Sequence, residues 1–207
     1  MGTMTPRVVF AGLATVVALA AAIPTPSAQD AAAEEFTAFA INMNSRPSGG
    51  PAAARPTTAQ LRIRIERWST PEERDSLTAI MKEESDVTRM NSALLRALQQ
   101  LPRVGWIRGS QTLAWDLRYA QQTPLPEGGR RIVLGTDRPI GMWEARNQPR
   151  SIDYPFTVLE LRLDKANQGE GKMIGDTRLI FNRDTNTLVL ENYDISPVRL
   201  NQIRRSN

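Results

Sequence analysis

The chain has 207 residues, 26 basic and 22 acidic side chains, a net charge of +4, and neither cysteine nor histidine. That length suffices for one domain with a real core. The two missing residue types exclude disulfide frameworks, thiolate nucleophiles, imidazole acid–base chemistry and the usual zinc sites, so catalysis would fall to Asp/Glu, Lys, Tyr, Ser/Thr or Arg, and nothing in the sequence calls for a cofactor or a metal.

Residues 1–28 read as a secretory signal. Arg7 is the positive region, Val8–Ile23 is an apolar run rich in Ala and Val, and Pro24–Ala28 breaks the helix and offers a small residue for cleavage after Ala28. An uncleaved anchor is the rival reading, but sixteen apolar residues fall short of the ~20 that a spanning helix needs. Residues 29–207 hold no other long apolar run, so the expected product is periplasmic or secreted, with no stable membrane span once the signal is removed. Residues 29–35 read as a flexible leader and residues 36–207 as a single domain.

Phe36–Met43 (FTAFAINM) alternates as a first strand, with Phe39, Ile41 and Met43 on one face. Ser45–Pro56 is a Pro/Gly-rich loop. Leu61, Ile63 and Ile65 alternate with Arg62, Arg64 and Glu66 as a second, half-buried strand. Thr70-Pro71-Glu72-Glu73 then combines an N-cap, a first-turn proline and the acid that closes a capping box. Leu77, Ile80 and Met81 make a short apolar stripe; Val87, Met90, Leu94, Ala97, Leu98 and Leu101 make a longer one, stopped by Pro102. Together they predict an αα-hairpin packed on the sheet.

From Val104 the pattern is strand-like. Leu113, Trp115, Leu117 and Tyr119 alternate; Thr123–Gly129 is a turn; Arg130–Leu134 returns; Thr157, Leu159, Leu161 and Leu163 form the next buried face. Lys165–Gly171 (KANQGEG) reads as a hairpin loop, Lys172–Phe181 and Thr187–Tyr193 as a hairpin, and Val198–Ile203 as a closing strand. The expected fold is α+β: an antiparallel β-meander of about eight strands, forming a sandwich or partly closed barrel, with the αα-hairpin inserted after the second strand. No strand–helix–strand alternation supports a nucleotide-binding sheet.

Candidate sites stand beside blander explanations. Gly169-Glu170-Gly171-Lys172 resembles a phosphate loop but lacks the Walker spacing, because Ala166 and Met173 occupy the required Gly and Ser/Thr places. Asn182, Asp184 and Asn186 mimic the start of a calcium loop but lack its Gly and terminal Glu. Only Lys82, Lys165 and Lys172 are lysines, so arginine, whose fork suits carboxylates and phosphates, carries the positive charge. The cations are interleaved with acids, unlike a nucleic-acid surface. The loop 135–153 is the best candidate for a ligand site, with Asp137, Arg138, Trp143, Glu144 and Asp153. Against this, Trp143 could plug the sheet and Asp137–Arg138 could be a turn. Arg62 and Arg64, expected to share a face with Trp68, could hold an anion or a glycan, or could simply pair with neighbouring glutamates.

The segments RWST-PEER-DSL, LPRVGWIR and the run from Leu117 to Ala145 resemble an uncharacterised family of exported bacterial proteins. The resemblance covers most of residues 36–205. It implies export and carries no activity, cofactor or site residue. The function expected from the residues is a non-catalytic binding module for an envelope protein or glycan, or for a small ligand. A carboxylate-dependent hydrolase acting on glycans and a purely structural envelope protein are the alternatives.

Overall fold

The computed structural model describes residues 33–42, 57–110, 113–138, 140, 155–182, 187–192 and 197–206. The predicted signal segment lies outside them. The elements are β1 (Glu34–Asn42), β2 (Thr57–Ile65), α1 (Pro71–Glu83), α2 (Val87–Gln100), β3 (Gly105–Gly109), β4 (Trp115–Leu117), β5 (Tyr119–Pro124), β6 (Arg130–Thr136), β7 (Phe156–Leu163), β8 (Gln168–Asn182), β9 (Thr187–Asn192) and β10 (Val198–Ser206). The protein is α+β and mostly antiparallel sheet, and its helical hairpin follows β2 as expected.

The sheet runs β4-β3-β2-β1-β10-β8-β7-β6-β5, with β9 paired to β8 alone. Its two ends, β4 and β5, are separated in the chain by Arg118 only, whose N–H donates to the Gly135 carbonyl at 2.9 Å. One stretch of chain therefore pairs with β3 over its first half and with β6 over its second. This bends the sheet into a nearly closed barrel, which removes most of the edges an open sheet would expose. Sequential strands are neighbours all the way round, apart from the β8–β9 hairpin and β10, which pairs with both β8 and β1.

The barrel interior is filled with side chains rather than left hollow, as its modest strand number allows. Phe36, Leu61, Ile63, Ile107, Leu117, Ile132, Leu134, Leu159, Leu161, Leu163, Leu200 and Ile203 are all buried there. A second apolar cluster lies outside the barrel. Leu77, Met90, Leu94 and Leu98 of the helices pack against Phe156 and Leu179 on the outer face. Here α2 docks on β8, and α1 packs on α2.

The helix starts follow their predicted signals. The Thr70 hydroxyl accepts from the Glu73 N–H at 3.2 Å, and the Glu73 carboxylate accepts from the Thr70 N–H at 2.9 Å. The Asp86 carboxylate caps α2 by accepting from the Arg89 N–H at 2.8 Å. Pro102, which has no N–H to offer, follows the end of α2.

Four local expectations are corrected. In β1 the inward residues are Phe36, Ala38 and Ala40, while Phe39 faces out and is 46% exposed; the small alanines fit opposite Leu61 and Ala59 where a run of Phe and Met would overfill a narrow barrel. β1 also begins inside the predicted leader, because Glu34 is held by Arg130. The strand expected over Leu113–Tyr119 breaks at Arg118, and Leu113 is exposed. Finally, Gly169-Glu170-Gly171 belongs to β8 and not to a loop: the turn is only residues 164–167. A Cβ on Gly169 would sit 1.9 Å from the Arg162 carbonyl, so these glycines serve close strand approach.

Candidate functional site

The structure divides the predicted site residues. Trp143, Glu144 and Asp153 lie outside the described residues. Asp137 and Arg138 follow β6 directly. The Arg138 N–H donates to the Thr136 hydroxyl at 3.0 Å, which makes this pair a turn. The Asp137 carboxylate is buried 3.7 Å from Arg118 Nε. Arg118 also donates to the Leu101 carbonyl at 3.1 Å and lies 3.5 Å from Asp116. Asp137 is thus the counter-charge of the arginine at the barrel's closing point. Among the described residues no group of three or more Asp/Glu side chains could hold a metal.

Arg62 and Arg64 face outward from β2, as their alternation requires. Trp68 does not share that face. β2 ends at Ile65, and the chain then turns inward so that Ser69 and Ala120 exchange two hydrogen bonds, of 2.9 and 3.1 Å. Trp68 follows it into the core and is 8% exposed. On β3 the aromatic residue that shares the arginine face is Trp106, directly opposite Arg64. Arg108, opposite Arg62, lies over the Trp106 ring at 5.2 Å. The outer face of β2 and β3 thus gathers three arginines and one indole.

An apolar-walled hollow lies elsewhere, between the helical hairpin and the outer face of β5–β8. It measures about 430 Å³. Leu77 and Met81 of α1, Leu94 and Leu98 of α2, and Phe156, Val158 and Ile174 of the sheet make its apolar walls. Its polar lining includes Arg74, Tyr119, Gln121, Arg131 and the Glu160–Lys172 pair, whose ions are 3.2 Å apart. The Tyr119 hydroxyl donates to the Gln121 carboxamide. Burial raises the Tyr119 pKa above its usual 10, and the positive charges of Arg74 and Arg131 oppose that rise. The phenol is therefore a neutral donor at ordinary pH, and both guanidiniums are close enough to act on it. Neither Arg74 nor Arg131 has a salt bridge among the described residues.

The sequence did carry a signal for this groove. Ile132-Val133-Leu134 in β6 and Phe156, Val158 and Leu159 in β7 are apolar at both parities. A strand with both faces apolar is buried on both faces, so something had to cover the outside of β6 and β7. The charged members of the groove gave no such signal, because Arg74 and Arg131 read as ordinary surface residues. No protein-family model, curated protein or solved structure matches this chain.

Proposed function

We propose that the chain is an exported, non-catalytic binding module, and that the groove between the helical hairpin and the barrel takes a small amphiphile with an apolar body and an acidic head. The supporting observation is the pairing of an apolar hollow of about 430 Å³ with two arginines at its lining that make no salt bridge among the described residues. Small-ligand sites are commonly apolar clefts of roughly 300–1,000 Å³ with a few placed polar groups. The barrel interior is already packed, and the outer groove joins an apolar hollow to charge. Arg74 is on α1 and Arg131 on β6, so a head group held by both would bridge helix and sheet. Tyr119 adds a neutral hydroxyl to the same lining.

The test uses the fluorescent anion 1-anilinonaphthalene-8-sulfonate as a reporter, displaced by decanoate, decanol or decyltrimethylammonium. Decanoate should displace it about tenfold more effectively than decanol, and the cation least of all, because one charge-assisted hydrogen bond contributes about 1.5–3 kcal/mol. Arg74→Gln with Arg131→Gln should erase the preference for decanoate, and Val133→Trp, which fills the groove, should weaken all binding. Equal displacement by the three amphiphiles, or a preference that survives the double substitution, would refute the reading.

A further inference from the structure

We propose that the outer face of β2 and β3 holds a second site, for a phosphate-type oxyanion, between Arg62 and Arg108. It lies apart from the groove and does not depend on it. Three observations converge. The first is shape: a concavity of about 360 Å³ is lined by Gln60, Arg62, Arg108, Gly109 and Ser110. Its side chains offer two guanidinium forks, a carboxamide and a hydroxyl, a donor set that suits a tetrahedral oxyanion.

The second is register. Arg62 and Arg108 are directly opposite each other in the β2–β3 ladder. Like charges at opposed positions destabilise a sheet, so folding alone gives no reason to place them there. A local rule broken with only partial compensation, here one distant carboxylate beside Arg62 and an indole under Arg108, is expected at functional sites.

The third is the shortage of acids. Arg62 has a single ion pair among the described residues, with Glu35 at 3.9 Å, and Arg108 has none. Arg64 is better served, by Glu35 at 3.6 Å and Glu66 at 4.0 Å. Arg108 is nevertheless not loose, because the Trp106 ring lies beneath it at 5.2 Å. Stacking on an indole orients a guanidinium and reduces the entropy lost when it takes a ligand. A doubly charged oxyanion would neutralise the opposed pair and turn their repulsion into shared attraction.

The experiment titrates the full chain with inorganic phosphate at low ionic strength and follows backbone amide chemical shifts. Saturable shifts are expected at residues 60–62 and 107–110. Arg62→Gln with Arg108→Gln should weaken binding about tenfold or more. Arg96→Gln with Arg199→Gln removes the same net charge from exposed positions elsewhere and should leave it within about twofold. Shifts that stay linear without saturation, or a matched control that weakens binding as much as the site variant, would overturn the proposal. Two further arms separate the sources of such a group. Co-sedimentation with phosphatidylcholine vesicles only when they contain phosphatidic acid, lost in the site variant, assigns a lipid headgroup. Competition by glucose 6-phosphate with no vesicle binding assigns a soluble phosphate ester.

Discussion

Glu73 joins the start of α1 to the chain on both sides of the helical hairpin. Its carboxylate accepts the Thr70 N–H and a two-pronged guanidinium bond from Arg67, at 2.9 and 2.8 Å. Arg67 also donates to the Pro102 carbonyl at 3.1 Å, just beyond α2. Burial pushes the Glu73 pKa up, but the Arg67 hydrogen bonds, the Thr70 N–H and the Arg67 charge pull it down further, so it lies below its ordinary 4.5. The folded state therefore favours the charged form. The stabilisation is complete above the unfolded-state value and is lost as pH falls through the lower folded-state value. Glu73→Gln should cost about 1–3 kcal/mol at pH 7 by urea unfolding, and the gap to the native chain should narrow below pH ~4.5. A gap that stays constant down to pH 3 would mean that shape and not charge holds this corner. The Thr-Pro-Glu-Glu cap was legible because every member is within three residues of the next. The Arg67 clamp was not, because it depends on how the chain turns between β2 and α1.

At the scale of elements, the hairpin is fastened to the barrel by a side chain that imitates a strand. β7 starts opposite Thr177, so among the described residues Leu179 of β8 has β9 on one side and no strand on the other. The Asn91 carboxamide fills that place. It accepts the Leu179 N–H at 2.8 Å and donates to the Leu179 carbonyl at 2.8 Å and to Val87 at 2.7 Å. Asn91→Ala would leave a buried donor and acceptor unpaired at about 1–3 kcal/mol each. The expected cost is about 2–4 kcal/mol, with faster hydrogen exchange at the Leu179 amide. Asn91→Asp keeps the acceptor but turns a carboxylate toward two carbonyls, so it should be milder at acid pH, where the protonated group can donate again. Exchange at Leu179 unchanged in Asn91→Ala would show that α2 is held by apolar packing alone. A polar residue inside the Met90–Leu94–Leu98 stripe was visible in the sequence, but its partner is 88 residues away. The same limit explains the inverted β1. Phe36 and Phe39 have opposite parities, and the choice between them is made by the room inside the barrel, which only the assembled strands define.

For the molecule as a whole, the decisive feature is closure, and closure depends on the pairing of β10 with β1 and β8. The strand set and the place of the hairpin were readable from alternation and turns, since those signals are local. Closure was expected only as one of two options, a sandwich or a partly closed barrel, because the pairings that decide it join β1 to β10 across most of the chain and β4 to β5 through the bend at Arg118. Such long-range pairing costs loop entropy before any contact rewards it, so folding in milliseconds to seconds is expected. It also makes the barrel cooperative. A chain ended at Pro197 lacks β10, and with it Leu200 and Ile203, both fully buried, and the nearly buried Val198. Losing large buried side chains costs about 2–5 kcal/mol each, before counting the ladder hydrogen bonds with β1 and β8. That sum reaches the whole stability of an ordinary domain, about 5–15 kcal/mol. The shortened chain should therefore show no cooperative thermal transition, while Leu113→Ala, at an exposed position, should melt within about 1 °C of the native chain. A shortened chain that still unfolds in one sharp transition would mean that β1–β8 form a stable open sheet, with β10 added as a cover and not as the strand that completes the barrel.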